Sequence, residues 1–138
     1  MIHLFASGGI LLLDQWSKNL VQVHVGDRCI SWGPLVRIRR TTNRKAFYAY
    51  NSCRIALMLV WLAALAAAVV LSHSGLWFQG ERALFGLGLA FGGAAGNLLD
   101  VLRRHCIIDF IDLRWWPVFN LADVAIIAGL LMAFWPGG

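Results

Sequence analysis

Charge is what this chain has least of. Seven acidic and 12 basic residues among 138, with 59% hydrophobic residues and a mean hydropathy of +0.68, are too few charges to solvate the surface of a small soluble domain. That excludes a soluble fold, and with it a nucleic-acid partner, which needs a soluble basic patch. Cysteine is scarce too: Cys29, Cys53 and Cys106 form no CxxC, so free thiols are expected, with room for one disulfide. There is no HExxH, and His3, His24, His73 and His105 are scattered. Adjacent His105 and Cys106 lack a second ligand pair, so no metal and no cofactor are expected. Ser17 has no histidine near it in sequence, which leaves it without the base that activates a serine nucleophile.

What the chain has instead is apolar length. Ile55–Leu71 and Ala83–Leu99 are uncharged runs of seventeen residues each, the lower limit for a helix crossing a hydrocarbon core of about 30 Å. Met1–Leu13 is apolar apart from His3 and reaches spanning length if its helix continues through Asp14 and Lys18. Val118–Trp135 spans if Asn120 and Asp123 sit near its entrance. The expected fold is an all-α membrane protein of one domain, with four transmembrane helices at roughly 1–23, 53–72, 82–100 and 118–135. The first segment is expected to be a spanning helix and not a cleaved signal peptide, because it lacks a basic start and runs straight into a charged motif.

Four spans put the end of the first helix, the end of the third and the start of the fourth on one side of the membrane. The polar clusters lie at those ends: DQWSK at Asp14–Lys18, GNLLD at Gly96–Asp100 and FNLAD at Phe119–Asp123. Asp14 and Lys18 are spaced i,i+4, and Asn97 with Asp100 and Asn120 with Asp123 are spaced i,i+3, so each pair projects from one side of its helix. Singly, such residues are ordinary caps and anchors, with Asn120 capping a helix and Lys18 neutralising Asp14. Three clusters on one face point to a pocket, with Asp109 supplied by the connection above it. An ionised acid near hydrocarbon costs several kcal/mol unless paired or used. Asp109 and Asp123 flank one short connection and are the leading candidates for a catalytic pair. Peptide hydrolysis without a covalent intermediate needs one carboxylate to take a proton from water and a partner to polarise or protonate the scissile carbonyl. Two close carboxyls share one proton, because both cannot cheaply ionise. Asp112, three residues after Asp109, is the rival for that role.

The ordered strings DQWSK, GGAAGNLLD, IIDFIDL and FNLADVAI resemble the lipoprotein signal peptidase family, or signal peptidase II, which are four-helix membrane aspartic peptidases of bacteria. The resemblance covers nearly the whole chain. It implies that Asp109 and Asp123 are the catalytic dyad and that Asp14, Lys18, Asn97, Asp100 and Asn120 shape and hydrogen-bond the site. It also implies a small extramembrane β-rich cradle between helices 1 and 2, at roughly residues 24–50. It favours Asp109 over Asp112, which is then an exposed or structural acid. The implied substrate is a lipidated precursor protein, cut just before a diacylglyceryl-modified cysteine. The protein would sit among the lipids of the bacterial cytoplasmic (inner) membrane, with its active site towards the outer face.

Two departures stand out. The family pattern follows the aspartate of GN-x-x-D with arginine, whereas here Val101 follows Asp100. One of Arg103 and Arg104 is expected to pair with Asp100 instead, the alternative being that Lys18 or Asn97 holds it, and Arg103 is counted among the site residues. The family pattern N-x-G-x-A-F reads TTNRKAF here. Aligned on Ala46 and Phe47, Thr42 takes the asparagine position and Arg44 the glycine position, with Asn43, the substrate-binding candidate, displaced by one; arginine resists backbone conformations that glycine permits.

Charge placement conflicts with the resemblance. Arg28, Arg37, Arg39, Arg40, Arg44, Lys45 and Arg54 lie between helices 1 and 2, and Arg103, Arg104 and Arg114 between helices 3 and 4, while the other face has only Arg82. The positive-inside rule puts the motif face in the cytoplasm; the location of the substrate puts it outside, and that orientation is the one expected. A basic cradle also suits anionic lipid headgroups, at about 1 kcal/mol per residue. Gly88, Gly92 and Gly96 form overlapping GxxxG steps that serve packing within one monomer rather than a dimer. Trp16, Trp32, Trp115, Trp116 and Trp135 suit interfacial belts. The reading that competes with a peptidase is a diverged, non-catalytic homologue that binds lipid or lipopeptide; a proton-linked transporter comes third.

Overall fold

The first apolar stretch forms helix α1, Ile2–Leu20, whose buried residues are His3, Ala6, Asp14 and Lys18. Its outward side carries Leu4, Phe5, Leu12, Leu13 and Trp16, all exposed. Polar groups inside and apolar groups outside are the reverse of a water-soluble helix, and this is the arrangement that lipid demands. The computed structural model describes residues 1–41, 59, 62, 63, 66–68, 70, 74 and 80–135. After Leu20 the chain widens into a π-helical turn, Val21–Val25. Gly26, at φ 53°, ends it, a left-handed conformation that costs glycine little.

A three-stranded antiparallel sheet follows, in the order β1 (Cys29–Trp32), β2 (Val36–Thr41), β3 (Asp109–Asp112). The β1–β2 hairpin turns through a three-residue loop, 33–35, whose first residue, Gly33, is at φ 70°, a left-handed conformation that glycine adopts at little cost. Ile30 pairs with Ile38, and Ile38 with Ile111. Val21, Val25 and Phe110 form a small core against which Ile38 and Ile111 pack, so the sheet is seated on the end of α1. The sheet therefore does not come from the first connection alone: its third strand is supplied by the connection that also carries Asp109.

Helix α2, Glu81–Arg104, runs a turn past the expected end at residue 100 and lies between its neighbours. A Cβ on Gly96 would sit 2.7 Å from Asp14 Oδ2 on α1, and Cβ atoms on Gly86 and Gly93 would sit 2.5 Å from the carbonyl oxygens of Gly129 and Ala122. The small residues let two helices approach α2 from two sides. Helix α3, Leu121–Phe134, exposes Val124, Ile127, Leu131 and Phe134, a stripe of helical period turned away from the protein. Among the described residues α2 is long and apolar enough to cross a membrane, and α3 is a shorter apolar helix. Residues 59, 62, 63, 66–68 and 70 of the second apolar stretch are helical. Thr42, Asn43, Arg44 and Cys53 lie outside the described residues; Cys29 and Cys106 are free thiols.

Strand β3 separates its two acids. Asp109 and Asp112 are an odd number of residues apart, so their side chains leave opposite faces. Asp112 is buried; it accepts the Arg114 N–H at 2.8 Å and pairs with Arg39 at 2.5 Å. It is thus structural and not exposed. The Arg114 N–H, and after it the Arg39 guanidinium, hold its carboxyl below the usual aspartate range, against the opposing pull of burial.

Two outcomes are expected. Gly96→Ala should lower the unfolding midpoint in a detergent titration, although alanine gains about 1 kcal/mol of helix propensity over glycine, because its methyl group meets a carboxylate fixed by other bonds. Asp112 binds its proton less tightly folded than unfolded, so its charge stabilises the fold above the ordinary aspartate value of about 3.9. That contribution disappears as pH falls through the depressed folded value. Asp112→Asn should therefore melt below wild type at pH 7, and the gap should close in acid; an equal gap at both pH values would refute the ion pair.

Candidate active site

Two helices, α1 and α2, meet around one ammonium group. Lys18 Nζ donates to Asp14 Oδ2 at 2.7 Å and to Asn97 Oδ1 at 3.0 Å, and it lies 2.7 Å from Asp100 Oδ2 as an ion pair. Lys18, Asp14 and Asp100 are each 0% exposed. An ammonium has three protons to place, and three acceptors surround this one. The other oxygen of Asp100 binds Arg104 Nη1 and accepts Gln15 Nε2 at 3.1 Å. Gln15 also donates to the Gly96 carbonyl at 3.1 Å and accepts Arg104 Nη1 at 3.1 Å. Two carboxylates and two cations thus form a cluster without net charge, the condition under which ions are tolerated in so dry a place.

Asp14 carries the cluster to α3. Its Oδ1 accepts the Ala122 N–H at 3.0 Å, one of the first-turn donors that a helix leaves unbonded. Asn120 caps the same helix: its Oδ1 accepts the Asp123 N–H at 3.0 Å, and Asp123 Oδ2 accepts the Asn120 N–H at 3.1 Å. This reciprocal pair is a capping box. The cap and the site are the same residues, so an ordinary helix start fixes the rotamer of Asp123. The remaining groups of the two asparagines form a bridge. Asn97 Nδ2 donates to Asp123 Oδ1 at 2.9 Å. Asn120 Nδ2 donates to Asn97 Oδ1 at 3.0 Å and to Asp109 Oδ1 at 2.9 Å. Asp109 and Asp123, from strand β3 and helix α3, are joined through one buried asparagine.

Of the residues that the sequence singles out, Asp14, Lys18, Asn97, Asp100, Asn120, Asp109 and Asp123 come together in this network. Arg103 does not: it is exposed, and Arg104 bonds Asp100. Both positions lie within a turn of Asp100, about 40° round the axis for Arg104 and about 60° the other way for Arg103; Arg104 falls on the side where Gln15 of α1 also accepts it, and Arg103 on the exposed side. Lys18 holds Asp100 as well, so both of the expected arrangements exist at once. Asn43 lies outside the described residues. Gln15 is not singled out by the sequence, although it stands inside DQWSK; its partners are all on α2 or next to it in sequence, and no spacing within α1 announces them.

Beside Asp123 lies an apolar groove of about 730 Å³, walled by residues that include Trp115, Trp116, Phe119, Ile127 and Leu131. The acid forms one end of an otherwise greasy channel along α3.

Known proteins of similar sequence and fold point to one family. The family model described as Signal peptidase (SPase) II matches residues 6–136. A lipoprotein signal peptidase of Pelotomaculum thermopropionicum is 34% identical over 128 residues, covering 91% of this chain and 84% of that protein. One of Geobacillus kaustophilus is 31% identical over 140 residues, covering 97% and 91%. Among solved structures, a bacterial membrane enzyme determined by the in meso method at 1.9 Å superposes with a TM-score of 0.76 at 20% identity, over 94% of this chain and 88% of that one. Another, at 2.3 Å, gives a TM-score of 0.73 at 21% identity, over 94% and 83%. At that identity the likeness speaks for the fold alone, while the family match over nearly its whole length shows that the chain belongs to the signal peptidase II family.

Proposed function

We propose that the protein is a membrane aspartic endopeptidase that removes the signal peptide of lipid-modified prolipoproteins, cutting before the diacylglyceryl cysteine. The observation that carries this reading is Asn120, which donates its amide to Asp109 and its backbone N–H to Asp123. Two carboxyls tethered to one residue can address one water and one peptide carbonyl. One of them takes a proton of the attacking water while the other gives its proton to the carbonyl oxygen; when the resulting gem-diol collapses, the first passes its proton to the leaving nitrogen and the second takes one back from a diol hydroxyl, so the pair ends with the single proton it began with. Asn97 and Asn120 hold both acids in place without adding charge beside them. The groove beside Asp123 supports an apolar signal segment entering from the lipid along α3.

Four spanning helices, with the second formed by the run Ile55–Leu71, bring the end of α1, the end of α2 and the start of α3 to the same side and suit a multi-pass protein of the cytoplasmic membrane acting as a monomer. The non-catalytic alternative draws on Val101 and the TTNRKAF loop. Against it stands the intact network that reaches both acids.

Asp109→Asn and Asp123→Asn should each lower cleavage of a lipidated precursor peptide by roughly 10²–10⁴-fold, the usual weight of positioned acid–base groups, with the melting curve preserved. Asp112→Asn should keep most activity. The opposite ranking would move the dyad to Asp112, and full activity in both dyad variants would favour the binding protein.

Orientation separates the peptidase from the charge pattern. Single cysteines at Arg39 and at Ser74, in a chain lacking Cys29, Cys53 and Cys106, should differ in labelling of intact cells by an impermeant thiol reagent. Labelling at position 39 alone is the expected result. Labelling at 74 alone would put both acids in the cytoplasm, away from the cleavage site of a secreted precursor, and would end the peptidase reading.

A further inference from the structure

Gln15 joins both carboxylates of the buried cluster to its outer cation. Its Nε2 lies 3.1 Å from Asp100 Oδ1, 3.1 Å from the Gly96 carbonyl and 3.3 Å from Asp14 Oδ2, so the two amide protons are shared among three acceptors. Its Oε1 accepts Arg104 Nη1 at 3.1 Å, and the same Nη1 bonds Asp100 Oδ1. Amide, guanidinium and carboxylate thus close a triangle in which each fixes the direction of the other two. Asp14, Asp100 and Lys18 are wholly buried, whereas Gln15 is half-buried and stands apart from the walls of the groove beside Asp123.

Removing this amide strands no charge. Lys18 keeps Asp14 and Asp100, and Arg104 keeps Asp100. The Gly96 carbonyl lies inside α2, where the N–H four residues on serves it. The fold therefore does not depend on Gln15 as it depends on Lys18. What the amide controls is direction. From Asp100 the constraint passes through Oδ2 to Lys18, through Nζ to Asn97 Oδ1 and through Nδ2 to Asp123 Oδ1. From Asp14 it passes through Oδ1 to the Ala122 N–H, next to Asp123 in the chain. Two routes that leave one side chain end at the same acid, and a shift of either anion turns Asp123 relative to Asp109.

We propose that Gln15 is a positioning residue for the hydrolysis: by donating to Asp14 and Asp100 at once, it sets the Asp123 carboxylate against Asp109 without itself touching substrate. This rests on the peptidase reading above and adds to it a residue that acts only through others. An acid–base pair must meet one water and one carbonyl in a single geometry, so a small rotation of one acid slows the chemical step while leaving the binding of the apolar segment as it was.

Two variants of the full-length protein test this. Gln15→Met keeps the length of the side chain and loses the donors and the acceptor; Gln15→Glu keeps the acceptor for Arg104 and loses the donors. Both should bind a non-hydrolysable lipidated precursor analogue at full stoichiometry and with wild-type affinity, which shows the fold and the groove to be intact. Both should cleave the ordinary precursor with kcat lowered by roughly 10- to 100-fold at unchanged KM, the cost of a misplaced catalytic group. A wild-type kcat in Gln15→Met overturns the proposal. Activity kept by Gln15→Glu would mean that the acceptor for Arg104 suffices, and a loss confined to Gln15→Glu would be an effect of added charge; either overturns it. A fall in kcat matched by lost binding stoichiometry, or a raised KM in its place, would make Gln15 a structural or a substrate-binding residue and overturns it as well. Failure of wild type to cleave is the separate outcome that ends the peptidase reading, and this proposal with it.

Discussion

Everything in the site hangs on a buried lysine. Lys18 is wholly inaccessible and lies against Asp14, Asp100 and Asn97, so it can keep its charge only by holding α1 and α2 in one register. Removing one partner of such a group costs about 3–5 kcal/mol, because the remaining charge is stranded. That penalty makes the ammonium a registration device more than a source of stability. With α1 and α2 locked, Asp14 is aimed at the first turn of α3 and binds the Ala122 N–H, and the third helix can start only where that donor meets that carboxylate.

The asparagines translate this rigidity into the placement of two acids. Asn97 touches Lys18 with its oxygen and Asp123 with its nitrogen. Asn120 touches Asn97 and Asp109 with its nitrogen, and the Asp123 N–H with its oxygen. An amide presents an acceptor and a donor on a single planar group, so each asparagine can face a cation on one side and a carboxylate on the other. A charged residue in either place would change the net charge next to the acids. The sheet completes the arrangement from above: β3 begins with Asp109 and ends with Asp112, and the Arg39–Asp112 pair pins the strand that presents Asp109.

Much of this was legible in the sequence because helical spacing is a strong geometric statement. Asp14 with Lys18 and Asn120 with Asp123 bond within their own elements as their spacing requires, and the glycines at 88, 92 and 96 line the side of α2 that meets α1. What stayed hidden depends on contacts between elements. Gln15 projects about 100° around the helix from Asp14, and nothing in DQWSK reveals that Gly96 and Asp100 approach it. Strand β3 is four residues long, DFID, too short for alternation to declare itself, so its addition to the hairpin was not foreseen. Between Arg103 and Arg104 the sequence leaves the partner of Asp100 open, because both stand within a turn of it; the packing of α1 decides, since Gln15 accepts Arg104 as well.

The same packing explains how the chain does without arginine at position 101. Val101 is 5% exposed and packs inside the protein, where an arginine would need its own partner or a path to water. Position 104 is one turn on from Asp100; its side chain is 24% exposed and reaches the surface while bonding Asp100 and Gln15. Asp100 needs a cation within reach and not an arginine at a fixed place in the sequence. With Lys18 on one oxygen and Arg104 on the other, the two acids and two bases balance, and the electrostatics around Asp109 and Asp123 are maintained by a residue that the motif does not contain.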